Sequence, residues 1–86
     1  MERADILAVL KEKAAELLDI DPSRITEQAS LKDDLDVDSL DLVEYTMAVE
    51  DALGLEPIPE DEYADARNIG DFVTVVQRHL DATATA

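Results

Sequence analysis

Residues 33–44 read Asp-Asp-Leu-Asp-Val-Asp-Ser-Leu-Asp-Leu-Val-Glu, six carboxylates gathered around the hydroxyl of Ser39. Three kinds of chemistry fit such a stretch: a nucleophilic serine, a metal-binding loop, or a hydroxyl that another protein modifies. A serine attacks a substrate when a base takes its proton, and the one histidine, His79, lies forty residues further on. There is no Gly-x-Ser-x-Gly elbow and no partner for a triad. His79 follows Arg78 in the last amphipathic segment and reads as a solvated surface residue. These residues do not make an enzyme.

The carboxylates also fail as a dedicated calcium loop. Asp34, Asp36 and Asp38 match positions 1, 3 and 5 of an EF-hand, but Ser39 stands where the loop needs glycine and Tyr45 where it needs a bidentate glutamate. The interleaved Leu35, Val37 and Leu40 have the character of core anchors. No specific metal site is expected, only loose attraction of divalent ions. Read alone, Asp38-Ser39 is the start of a helix, with Asp38 as its cap.

An 86-residue chain makes one small domain, burying roughly 60–65% of its unfolded surface and leaving little room for both a core and a deep cleft. Without cysteine it has no disulfide, no thiolate chemistry and no cysteine–zinc site. The first thirteen residues alternate charge with apolar side chains, unlike a signal peptide, and no apolar run is long enough to cross a bilayer. The expectation is a soluble, cytoplasmic monomer. A net charge of −15 argues against nucleic acid and anionic membrane as ligands, because both are polyanions. From Asp33 to Ala66 there are thirteen acids and no Lys or Arg. Such a one-sided surface costs self-repulsion and fits basic protein partners.

The elements that must position Ser39 are helical. Ile6, Leu10, Ala14, Leu17 and Leu18 recur at helical spacing over residues 3–19, and Asp21-Pro22 ends that segment. A long connection to about Asp36 follows, pinned by Ile25, Leu31 and Leu35. The second helix starts at Asp38, with Asp41 three residues on in a capping-box arrangement. It ends at Leu53 before Gly54. At about 100° per residue, Leu40, Leu42, Val43, Thr46, Met47, Val49 and Leu53 share an apolar half, interrupted by Glu50. Asp41, Glu44 and Asp51 share the other half. A short third helix is expected from about Glu60 to Ala66. A last one, capped by Asn68 with Asp71, turns Phe72, Val73, Val76 and Leu80 inward. The fold class is therefore all-α: a small four-helix bundle of three longer helices and one short third helix, with a long loop between the first two. Residues 1–81 form the domain, and 82–86 a disordered tail.

This pattern resembles the acyl carrier proteins, from the first helix to Leu80. Asp38-Ser39-Leu40 at a helix start, inside "DLDVDSLDLVE", is its most specific part, followed by "MAVEDALGLE", a proline–acid run and "NIGDFV". The resemblance implies that Ser39 carries a 4′-phosphopantetheine, taken from coenzyme A by a separate phosphopantetheinyl transferase that uses magnesium. The arm's thiol would then hold acyl cargo as a thioester for ketosynthase, acyltransferase and other synthase enzymes with basic patches. It further implies that Asp38, Leu40, Asp41, Glu44, Met47, Glu50 and Asp51 recognise partners. Leu40, Val43 and Met47 would line a cargo cleft, to which the helical wheel adds Thr46, with Tyr63 from the short third helix. The Thr46 hydroxyl either faces cargo there or bonds its own backbone one turn back. A helix N-terminus suits the phosphodiester's charge.

The chain departs from the family pattern at Pro57-Ile58-Pro59, one proline longer than usual. It departs again at Tyr63, Ala64 and Ala66, where an aliphatic is usual, and at Tyr45-Thr46, which replace an aliphatic pair. These changes turn the expected cargo toward short or oxygen-bearing chains, as in a specialised polyketide pathway, rather than ordinary fatty acids. The alternatives are a peptidyl or aminoacyl carrier of a nonribosomal pathway, and an acidic decoy that mimics nucleic acid and bears no prosthetic group.

Overall fold

A computed structural model describes residues 2–84 of the chain. Helix α1 spans Arg3–Lys13 and continues as a π-helical stretch, Ala14–Leu18. A 3₁₀ turn follows at Pro22–Arg24, then α2 at Ser39–Leu53, α3 at Glu60–Tyr63 and α4 at Ile69–Ala84. No strand forms among the described residues, only one isolated bridge between Ser30 and Asn68. The fold is the all-α bundle of three longer helices and one short one. The last helix continues into the stretch expected as tail, through Ala84. Residues 85 and 86 lie outside the described residues.

The first helix has the expected extent but not a uniform pitch. Its α pattern hands over at Ala14, whose N–H is shared between the carbonyls of Leu10 and Lys11. The wider π turn keeps Ala14 buried and packs Leu18 partly against the core, while Leu17, expected inside, swings out to 46% exposure. Asp19 in the left-handed region, φ 56°, closes the segment.

Ile6 and Leu10 of α1, Leu42, Tyr45 and Val49 of α2, and Phe72, Val73 and Val76 of α4 form the core. The buried arc of α2 is turned by roughly a quarter of the circumference from the apolar half expected. Tyr45 causes the difference. Its ring lies 5.6 Å from that of Phe72, and its hydroxyl donates to the Leu10 carbonyl at 2.6 Å. That carbonyl stands where α1 changes pitch. Leu40 and Met47 consequently face outward, 68% and 62% exposed.

The connection between α1 and α2 is held by backbone pairing. Leu31 N–H donates to the Arg67 carbonyl at 3.0 Å, Ile69 N–H to Ala29 at 3.0 Å and Gly70 N–H to Glu27 at 2.9 Å. A Cβ at Gly70 would meet the Glu27 carbonyl at 3.0 Å, so glycine permits this approach. Arg3 fastens the same corner, donating to Glu27, to Thr74 and to the Gly70 carbonyl. Ile25, Leu31 and Leu35 are buried beneath it.

Tyr45→Phe should cost about 1 kcal/mol, a Tm drop of about 4–8 °C in a chain this size. Burial also pushes the Tyr45 hydroxyl above its ordinary value of 10.0. The folded state therefore keeps that proton longer than the unfolded state does. Its contribution to stability is whole below pH about 10 and is lost as pH rises further. Thermal unfolding from pH 8 to 11 should show a shallower alkaline fall in Tyr45→Phe than in the wild type.

Candidate functional site

Ser39 is the first residue of α2, and the sequence around it builds a helix start. Asp38 is extended, φ −86° and ψ −178°, and its carboxylate accepts the N–H of Asp41 at 2.8 Å. One donor of the first turn is thus satisfied without the serine. The Ser39 side chain is exposed, and its hydroxyl has no partner among the described residues. Gly54, φ 67°, stops the helix in the left-handed region, and Leu55 N–H closes back on the Glu50 carbonyl at 2.9 Å.

A pocket of about 470 Å³ opens beside Ser39. Leu31, Val37, Leu42 and Tyr63 give it apolar surface, and Ala64 and Ala66 leave its α3 side open. Lys32, Asp33, Asp38, Glu60, Asp65 and Arg67 supply its charges. Tyr63 is itself buried, its ring 6.3 Å from Phe72. Burial raises the Tyr63 hydroxyl above its ordinary range, the charges of Glu60 and Glu50 push the same way, and a hydrogen bond with Thr46 opposes them.

The residues named from the sequence separate into three groups. Leu40, Glu44, Met47 and Asp51 lie exposed along one outer face of α2, with Asp38 and Ser39 exposed at its start and Asp41 half-buried. Glu50 points elsewhere: its carboxylate accepts the Ile58 N–H at 2.6 Å, tying the α2–α3 loop to α2. Of the five residues expected at a cargo cleft, Tyr63 lines the pocket. Thr46 does not, being 1% exposed with its hydroxyl bonded to the Leu42 carbonyl at 2.7 Å. Its own helix satisfies it. Val43 packs partly against the core, and Leu40 and Met47 face outward. Lys32 and Arg67, on loops, line the pocket unannounced by helical periodicity, and Leu42, expected on the apolar half of α2, lines it as well. His79, expected to be solvated, sits 2.7 Å from Glu62, joining α4 to α3. Among the described residues no cluster of three His, Cys, Asp or Glu could hold a metal ion, and no helix is long and apolar enough to cross a membrane.

Comparison with known proteins decides the family. Residues 8–76 match the model of the phosphopantetheine attachment site. The chain is 40% identical over 82 residues to an acyl carrier protein of Rubrobacter xylanophilus, covering 95% of this chain and all of that one. The chain belongs to the acyl carrier protein family. It is also 42% identical to an acyl carrier protein of Phenylobacterium zucineum, over 92% of this chain and 99% of the relative. With a meromycolate extension acyl carrier protein of Mycobacterium leprae it shares 42% identity over 86% of its length and 64% of the relative's. The carrier is thus a phosphopantetheine-bearing protein that separate enzymes use, and not itself a catalyst. A free, exposed hydroxyl on a capped helix end, with a pocket at its foot, has the space and chemistry such a group needs.

The cap that presents Ser39 can be tested apart from any modification. Asp38→Ala should cost about 0.5–2 kcal/mol, lower Tm and speed amide exchange at Asp41. Asp38→Asn should restore most of both, because its side-chain oxygen can accept the same N–H.

Proposed function

We propose that Ser39 is the attachment residue, and that the loaded protein carries acyl intermediates among separate fatty-acid or polyketide synthase enzymes. The single observation behind this reading is Ser39 itself, whose hydroxyl is exposed and unpartnered at the N-terminus of a capped helix. No side chain of this chain hydrogen-bonds the Ser39 hydroxyl among the described residues, so its proton is taken in the complex with the transferase. When bound, the prosthetic arm supplies the thiol on which an acyl group is held as a thioester. Everything else falls to the chain. Asp38 keeps the first turn closed, so the hydroxyl stays in one place and open to a partner. The outer face of α2, with Leu40 and Met47 between Glu44 and Asp51, offers apolar contact ringed by negative charge. Its partners are accordingly enzymes with basic surfaces around an apolar spot.

The cargo is read as oxygen-bearing, which fits a specialised polyketide route. Thr46 is engaged with its own helix, so this reading draws its support from the pocket beside Ser39. Its walls set Tyr63, small alanines and charged groups beside the aliphatic Leu31, Val37 and Leu42.

Incubation with coenzyme A, magnesium and a broad-specificity transferase should add one phosphopantetheine by intact mass. Ser39→Ala should add none, whereas Ser23→Ala and Ser30→Ala should load. An arm mapped to any other residue overturns the assignment. Asp41→Lys and Glu44→Lys should slow association with the transferase, and raised salt should weaken binding, since exposed charges are screened within about 10 Å at 0.1 M. Affinity indifferent to salt and to both reversals would rule out electrostatic docking.

A further inference from the structure

We propose that Lys32 and Arg67 act together as a pair of hydrogen-bond donors that select uncharged, carbonyl-bearing acyl chains in the pocket beside Ser39. This inference rests on Ser39 being the attachment residue.

The sequence keeps these two cations at opposite ends of its acidic block, Lys32 just before Asp33 and Arg67 just after Ala66. The fold brings the ends together. Ser30 bridges Asn68, and Leu31 N–H donates to the Arg67 carbonyl at 3.0 Å, which sets both side chains at one pocket. In a chain with 22 acids and 7 Lys and Arg, every cation has abundant carboxylates to choose from. Among the described residues Arg3 pairs with Glu27 and Lys13 with Glu16, and the His79 ring lies 2.7 Å from the Glu62 carboxylate. Lys11, Arg24, Lys32, Arg67 and Arg78 make no ion pair among the described residues; of these, Lys32 and Arg67 share the pocket with Ser39, and neither side chain makes a hydrogen bond there. Both side chains line one pocket, where like charges repel and an acceptor atom within reach of both would relieve that cost.

The rest of the lining decides which acceptor. Asp33, Asp38, Glu60 and Asp65 share the pocket with the two cations, leaving its ionisable groups net negative. A carboxylate on the cargo would meet those four anions. A ketone oxygen carries acceptor lone pairs without a full charge, so it takes the N–H donors and escapes the repulsion. A saturated chain offers the donors no acceptor and gains nothing from them. Leu42, Val37 and the Tyr63 ring supply the apolar contact for the methylenes between carbonyls.

Three acyl groups of nearly equal shape separate the possibilities: acetoacetyl, malonyl and isovaleryl. Each is loaded onto Ser39 as its pantetheine thioester, with the position confirmed by mass. Hydrolysis is then compared with that of the same acyl group on free pantetheine. The acetoacetyl form should be protected roughly tenfold relative to isovaleryl, the scale of a hydrogen bond from a charged donor. Malonyl should be protected least. Lys32→Gln and Arg67→Gln should each reduce the acetoacetyl advantage, and the double variant should abolish it without altering isovaleryl. The arm's own phosphate is present in all three, so an effect of the variants that is equal across them would assign the cations to the phosphate and overturn the proposal. Protection of malonyl equal to acetoacetyl, or of isovaleryl equal to acetoacetyl, would also overturn it. An arm mapping away from Ser39 would instead overturn the attachment reading, and this inference with it. ¹⁵N shifts at Arg67 Nε, moving on acetoacetyl loading alone, give a readout independent of hydrolysis.

Discussion

Three backbone hydrogen bonds hold this structure in register. The N–H groups of Leu31, Ile69 and Gly70 reach the carbonyls of Arg67, Ala29 and Glu27, joining the long first connection to the beginning of α4. Without them the residues between Pro22–Arg24 and α2 would carry polar backbone with nowhere to go. The chain could then not lay Ile25, Leu31 and Leu35 onto the core. With them, α2 starts at a defined place above α4, and Ser39 with it. The close approach at Gly70 and the three-way grip of Arg3 serve this junction. In a bundle this small, the loop is as much a structural element as the helices.

Local features were legible in the sequence because local chemistry determines them. Asp38 caps α2, Gly54 ends it, and Asn68 accepts from Asp71 N–H while Asp71 accepts from Asn68, as the spacing of these residues indicates. What periodicity could not supply was rotation about a helix axis. An apolar arc is found by counting aliphatics, and Tyr45 belongs to neither class until its hydroxyl has a partner. That partner, the Leu10 carbonyl, is available where α1 widens into a π turn, a tertiary circumstance thirty-five residues away. Once Tyr45 is inside, Leu40 and Met47 must lie outside. His79 and Glu62 likewise needed α3 and α4 to be docked before they could meet. For Thr46 the sequence allowed a self-bonded hydroxyl or one facing cargo, and the helix provided the first.

The charge has a structural logic of its own. Acids within the block are spent at specific backbone donors. Asp34 accepts from Ser30 N–H and Asp38 from Asp41 N–H, while Glu50 holds Ile58 N–H. These anions order loops and helix ends, and each offsets desolvation with a directed bond. Others, such as Glu44 and Asp51, are left outward on α2. One composition thus both orders the fold and leaves negative charge outward, with the division made by which carboxylates find an N–H.

Pro57-Ile58-Pro59 has a mechanical meaning. Proline has no N–H, so Ile58 is the single backbone donor in this stretch, and Glu50 occupies it. Two fixed φ angles and one carboxylate tether make the approach to α3 rigid. Within α3, by contrast, the contacts are made by side chains: Tyr63 is buried against Phe72, and Glu62 meets His79 at the molecular surface. A four-residue helix is thereby held at three points, its entry by the Glu50 tether, its inner face by the Tyr63 ring and its outer face by an imidazole.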